Sequence, residues 1–361
     1  MNLSTFATSM GFEPHSVTGM IKCTWFTEHM VKVDTGEFGD ETRRAGTSIY
    51  LLLSGEEKMT WHKLKSDEVL FFHHGVPLKI HLILPDGKYQ SKLLGNTLTN
   101  EEADFQVVIP HGSWFAYELT DKLQYAFYSE VVAPGFEFKD WSAPPEGGLV
   151  PLFPQHKDII EALATTNRAS SDFMNSVLVR PEKFDTEMME LIASKLQLAP
   201  HPVCRGGFFS EVWRTEHSVT VTNGSHEGKR QAGSSIYMVL KAGNNGLAWH
   251  IHKSDELLIY HGGGAIKFHF LDEDGNYSNK ILGDTLSHSE ANYQVLVHHG
   301  TWYAFELMDT SEAVFFGAVL APAFVMGDWS TSEEKGVDLL QKYPQHGDIV
   351  RKMATANWMK N

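Results

Sequence analysis

The chain repeats itself. Thr47-Ser48-Ile49-Tyr50 returns as Ser234-Ser235-Ile236-Tyr237, Trp61-His62 as Trp249-His250, and Ser66-Asp67-Glu68 as Ser254-Asp255-Glu256. Leu94-Gly95-Asn96-Thr97-Leu98 returns as Leu282-Gly283-Asp284-Thr285-Leu286, and Asp140-Trp141-Ser142 as Asp328-Trp329-Ser330. Tyr50 and Tyr237 lie 187 positions apart and Trp61 and Trp249 lie 188 apart, so one residue has been inserted between Ala242 and Leu247. A register kept over so much of a 361-residue chain means one domain written twice. The spacing predicts a first domain over residues 1–168 and a second over 169–361, with a boundary near Thr165 to Ser176, where Thr, Asn and Ser gather. The external helices carry apolar faces, so the repeats are expected to pack as an internal pseudo-dimer; a homodimer stays open.

Within each copy the texture is β. Short apolar runs such as Ile49 to Leu53, Val69 to His73, Leu78 to Leu84 and Gln106 to Ile109 end at turn signals, among them Ser54-Gly55, His74-Gly75 and Asp86-Gly87. Many short strands at close spacing read as a sandwich or barrel, and no glycine-rich nucleotide fingerprint supports a parallel α/β fold. Helices are expected only at the edges. One runs from Asp185, a plausible N-cap, to Leu198, and others follow Pro-Gln-His at 154–156 and 344–346.

Composition narrows the function classes. Hydrophobic residues at 42% are enough for sizeable cores, and a net charge of −15 argues against nucleic acid or an anionic membrane surface as partner. Cys23 and Cys204 cannot build a disulfide framework, and no apolar run is long enough to cross a membrane. A cytoplasmic protein acting on a small molecule is the expectation.

Chemistry gathers in Trp249-His250-Ile251-His252-Lys253-Ser254-Asp255-Glu256. Alternate strand residues share a face, so His250 and His252 point the same way and Glu256 can reach the same spot. Two imidazoles and a carboxylate form an open divalent-metal ligand set, suited to Fe, Mn, Zn or Ni. The first copy keeps His62 and Glu68 but has Leu64 at the second histidine position, a degenerate site. Tyr50 and Tyr237, Gln106 and Gln294, and Trp114 and Trp302 either line pockets or pack the core. Counted from Glu68 and Glu256, His73 and His261 face the other side, as outer-surface or turn residues. His81 and His269 read as hydrogen-bonded strand residues and His111 and His299 as solvated turn residues. Glu118 and Glu306 read as exposed strand charges. Arg43, Arg44, Lys229 and Arg230 could meet an anionic ligand or pair at the surface.

His250-x-His252-x-x-x-Glu256 and Gly263 resemble the first motif of the cupin superfamily. Ser-Ile-Tyr, Trp-His-x-x-x-Ser-Asp-Glu, Gln-Val-x-x-x-x-Gly-x-Trp and Ala-Pro-x-Phe resemble its Cupin_5-like branch, catalogued as a domain of unknown function. The resemblance covers nearly all of both copies and implies an all-β bicupin, two tandem double-stranded β-helix (jelly-roll) barrels with short peripheral helices. In the second cupin motif, Phe115 and Tyr303 stand where the fourth ligand histidine belongs, and His298 is the nearest substitute. Three readings follow. One is a metal-dependent lyase, isomerase or oxygenase with the ion held by His250, His252 and Glu256. Another is a metal-free enzyme resembling sugar epimerases, with His62 or His250 as base, Glu68 or Glu256 orienting it, and a tyrosine, Tyr237 in the second copy, as acid. The third is a ligand-binding or storage-like protein.

Overall fold

The structure is a computed structural model that describes residues 1–34, 36–166, 178, 184–204, 206–224, 226, 228–244 and 246–354. The chain forms two compact units, one of Met1–Phe26 with Thr35–Val179 and the other of Thr27–Asp34 with Arg180–Asn361. From residue 167 onward, the boundary expected near Thr165 to Ser176 lies outside the described residues.

The first unit is built from two six-stranded sheets. One runs Glu13–Pro14, Met20–Phe26, Thr47–Ser54, Tyr125–Ala133, Asp67–Gly75, Gln106–Ile109. The other runs Ala103–Asp104, Tyr89–Leu94, Leu78–Ile83, Trp114–Leu119, Lys58–Leu64, Trp141–Ser142. The strands interleave between the sheets along the chain and pair antiparallel apart from one short edge strand, which is the jelly-roll arrangement. Asp86-Gly87 makes a tight turn: Gly87 holds φ at 82°, and Leu84 and Lys88 bond across it at 2.9 Å. That positive φ is why glycine stands there.

The second unit repeats the plan. Gly207–Arg214, Ser234–Leu240, Val314–Ala321, Asp255–Gly263 and Gln294–Val297 lie in that order in one sheet. Tyr277–Leu282, Ile266–Leu271, Trp302–Leu307, Leu247–His252 and Trp329–Thr331 form the other. The chain is thus all-β, with two tandem jelly rolls and a few short helices. This unit also includes a strand from far upstream: Met30–Val33 pairs antiparallel with Ser218–Val221, which pairs in turn with Lys229–Gln231.

The helices cap the sheets on their outer faces. In the second unit, the helix Thr186–Lys195 starts at Asp185, whose side chain accepts from the Met188 amide, and it buries Met189 and Ile192. Gly262 lies under the nearby Phe184 ring; a Cβ there would sit 2.2 Å from Phe184 Cε2. In the first unit the helix Leu3–Met10 does the same work, with Phe6 edge-on to Phe127 and His74. The tail helices expected after Pro-Gln-His are Lys157–Ala162 and Gly347–Ala354. Each receives an indole hydrogen bond: Trp61 to the Ile160 carbonyl and Trp249 to the Val350 carbonyl, both at 3.2 Å. Among the described residues no helix is long and apolar enough to cross a membrane.

Candidate functional site

Strand parity sorts the side chains of Leu247–His252. Trp249 points outward into a cluster with Trp302, Tyr343, Val350 and Met353, while His250 and His252 point inward and line a cavity of about 160 Å³. Glu256 reaches the same cavity from the next strand, with Tyr303, Phe316 and Trp329 in the wall. The structure therefore brings together the three residues singled out in the HxHxxxE stretch.

The hydrogen bonds fix what each group can offer. His250 Nδ1 lies 2.7 Å from the Ala248 carbonyl, which can only accept, so the ring donates through Nδ1 and keeps its lone pair on Nε2. Burial holds His250 down to about 4 and His252 well below its ordinary value, so both are neutral near pH 7. His252 Nε2 lies 3.8 Å from Glu256 Oε2, and His252 Nδ1 is buried with no partner. The Tyr303 hydroxyl donates to Glu256 Oε2. Burial pushes the Glu256 carboxyl up to about 7, with the Tyr303 hydrogen bond pulling the other way, and burial beside that carboxylate raises the Tyr303 phenol far above its usual range.

This donor set does not fit a ready-made metal centre. Among the described residues of the second unit, ligand atoms that all lie within 4.8 Å of one another come from His29, Asp255 and His299, and not from His250, His252 and Glu256. Glu256 already accepts from Tyr303, so a metal would have to compete with that hydrogen bond for the carboxylate.

Tyr237 lies elsewhere. Its neighbours Ile236 and Met238 line the cavity, so parity turns Tyr237 to the opposite face of Ser234–Leu240, beside His261 and Phe315. The aromatic hydroxyl at Glu256 is instead that of Tyr303. His73 and His261 do face away from the barrel interior, but they are buried rather than outer-surface residues. Each sits at a bulge in its strand, on a face that packs against other rings. His298 is 52% exposed at its side chain and lies 3.8 Å from Glu28, outside the cavity. His269 is the hydrogen-bonded strand residue expected, between Tyr277 and Glu306. Arg43 and Arg230 pair with Asp140 and Asp328; Arg43 and both aspartates are buried and Arg230 is half-buried, rather than at the surface.

The first unit differs in the same positions. His62 repeats the tautomer-fixing contact, to the Thr60 carbonyl at 2.7 Å, and Leu64 and Phe115 replace His252 and Tyr303. Glu68 faces a second carboxyl, Glu130, which accepts from Tyr117 at 2.8 Å. Glu130 and Tyr117 were missed, and Tyr303 was seen only as the replacement of a ligand histidine, because their roles depend on side chains meeting across strands. The signal available was the exchange of Tyr and Phe between copies at 115/303 and 117/305.

Two jelly rolls of one plan in a single chain define a bicupin. The chain belongs to the Cupin superfamily (DUF985), whose Cupin_5 family model matches residues 4–143 and 190–332. No curated protein matches it. It is similar to a hypothetical protein from Leishmania major, at 28% identity over 45% of this chain and 98% of that one, with a TM-score of 0.41. A protein from Shewanella oneidensis is 26% identical over 46% and 99%, with a TM-score of 0.40. Across both barrels it is similar to Lactobacillus farciminis oxalate decarboxylase in a formate complex, at 11% identity over 95% and 93%, with a TM-score of 0.50. At that identity the likeness concerns the fold alone.

Proposed function

We propose that the second barrel is the working site of a small-molecule enzyme that moves a proton without a metal, with Glu256 as general acid and base. The observation that carries this is Glu256 itself: a buried carboxyl brought to about 7 in a largely apolar cavity and oriented by the Tyr303 hydroxyl. A proton-transfer group works best when its pKa is near the working pH. His250, at about 4, is the weaker base and is better suited to accept a hydrogen bond through Nε2. His252 sets a second neutral imidazole beside the carboxyl, with Nε2 3.8 Å from Glu256 Oε2.

Cavity size limits the substrate. An apolar cavity of about 150 Å³ is known to hold benzene, so about 160 Å³ takes a compact molecule with one or two polar atoms. A carbonyl compound that also carries a hydroxyl fits this chemistry: the hydroxyl donates to His250 Nε2, and Glu256 takes and returns a proton on the carbon beside the carbonyl. We infer from this chemistry an isomerisation or an elimination.

The test is solvent deuterium exchange into a panel of small hydroxylated aldehydes, ketones and keto acids, followed by NMR. Exchange by the parent protein that disappears in Glu256→Gln and falls in Tyr303→Phe supports the proposal. Exchange that survives Glu256→Gln, or that depends on added metal and is lost with chelator, refutes it and returns the site to the metal-dependent reading.

A further inference from the structure

Asp255 and Glu256 are neighbours on one strand, so they face opposite ways. Glu256 enters the cavity; Asp255, fully buried, points away from it toward the segment Thr27–Asp34. There it meets His29 and His299, and one ligand atom from each of the three lies within 4.8 Å of the others. We propose that His29, Asp255 and His299 form a binding site for a zinc-class transition-metal ion, separate from the cavity.

The orientation of His29 is the strongest support. Its Nε2 lies 2.8 Å from the Lys253 carbonyl, so the ring donates there and carries its lone pair on Nδ1. That Nδ1 is buried, in a residue that is 1% exposed, and makes no well-formed hydrogen bond, with the Asn223 backbone beside the ring. A metal-bound imidazole has this arrangement, with the far nitrogen held by a carbonyl and the near one free to coordinate. His226 is anchored in a similar way: Nε2 lies 3.0 Å from Ser254 Oγ, Nδ1 is buried and unpartnered, and its ring is 4.7 Å from that of His29. On the other side, the His299 ring is 4.2 Å from His29, and its Nδ1 is 2.8 Å from Asp255 Oδ1.

Asp255 is also held from behind. Its Oδ2 accepts from Thr27 Oγ1 at 3.0 Å and from the Glu28 amide at 3.2 Å, which aims the other oxygen at the histidines. Imidazoles and one carboxylate suit zinc and its neighbours among the divalent ions. A bound ion would fasten the Thr27–Asp34 segment, otherwise tied by the short ladder of Met30–Val33 on Ser218–Val221, to the body of its unit.

The test is a titration of the chelator-treated full chain with Zn²⁺, and with Co²⁺ followed by its visible absorption. The parent is compared with His29→Ala, His299→Ala and His252→Ala. We expect one tight equivalent in the parent and in His252→Ala, and a loss of at least about 100-fold in affinity in both His29→Ala and His299→Ala, since even indirect supports of a metal site are worth 10–100-fold. His299 is a third exposed, so its removal leaves the barrel folded, and the metal-free melting curve checks this. The proposal is overturned if the parent binds no ion at micromolar concentrations, if His299→Ala binds as the parent does, or if His252→Ala removes the site. Loss of deuterium exchange in Glu256→Gln bears on the cavity alone and leaves this outcome untouched.

Discussion

Glu68 hydrogen-bonds to Glu130 inside the first barrel, whereas the second copy carries Ala318 at the position of Glu130, beside Glu256. Burial raises both carboxyls of the first pair; the neighbouring Glu130 raises Glu68 further, while the hydrogen bonds from Glu68 and Tyr117 pull Glu130 back down, so the proton that the pair shares resides on Glu68. The second barrel has exchanged this network for an apolar wall: Ala318, Phe316 and Phe305 stand where the first has Glu130, Tyr128 and Tyr117. One fold thus carries two different interiors.

This exchange can be reversed experimentally. Glu130→Ala should lower the Glu68 pKa, read by carbon NMR of labelled glutamate, because it removes both the repulsion and the hydrogen bond that favours the protonated form. It should also cost about 1–3 kcal/mol by stranding the Tyr117 hydroxyl. Adding Tyr117→Phe, the residue pair of the second copy, should recover part of that loss. If the double variant is no more stable than Glu130→Ala alone, the hydroxyl is not the source of the cost.

Two titrating groups of the second barrel, Glu256 and His250, shift in opposite directions, and His252 shifts with His250. The Glu256 carboxyl rises from 4.5 to about 7 on folding, so its contribution to stability is full below pH 4.5 and is lost as pH climbs through 7. His250 falls from 6.5 to about 4, so its contribution is present above 6.5 and is lost as pH drops through 4. Glu256→Gln should therefore flatten the decline in melting temperature from pH 5 to 8, a term on the order of 3 kcal/mol at most, and leave the acid-side decline in place. A parent profile that does not fall across that range, or a variant that falls just as far, contradicts the carboxyl's assignment.

Tyr303→Phe is sterically mild, since the first copy already has Phe115 in that place. It should raise the Glu256 pKa, because the phenol's hydrogen bond favours the ionised carboxylate. It should also lower stability by about 1.5–3 kcal/mol at a pH where Glu256 is charged, and by less where it is protonated. Infrared titration of the carboxyl stretch reads the shift, and an unchanged midpoint would separate Tyr303 from Glu256.

Much of this was legible in the sequence because it depends on local spacing. The repeat register gave one domain written twice, the motifs' resemblance to cupins implied the jelly rolls, and the period-two rule gave the shared face of His250 and His252. The outer histidines were harder: parity put His73 and His261 on the right face, but burial there depends on bulges and on covering rings that no local pattern reveals. Strand exchange was invisible for the same reason. Nothing around His29 says that Met30–Val33 will pair with Ser218–Val221, nearly two hundred residues on, and so nothing placed His29 beside Asp255. Tyr303 could be seen to replace a ligand histidine, but its hydrogen bond to Glu256 required the barrel to close.

Gly262 offers a test of how the outer helix is fastened. The first copy has His74 at this position, whose ring meets Phe6 edge-on at 5.5 Å; the second has glycine, and the Phe184 ring fills the space. Gly262→Ala would set a methyl group 2.2 Å from Phe184 Cε2, too close for any rotamer of an unmoved ring, so Phe184 must leave or the strand must shift. Overpacking of this kind costs about 1–3 kcal/mol. Phe184→Ala leaves a cavity instead and should cost about 3–5 kcal/mol. The two changes remove the same contact, so their effects should not add: Gly262→Ala in the Phe184→Ala background should be nearly neutral. Hydrogen exchange should show faster opening of Thr186–Lys195 in either single variant, with the cavity strands unchanged. Additive losses in the double variant would mean that Gly262 is required for a reason other than the ring above it.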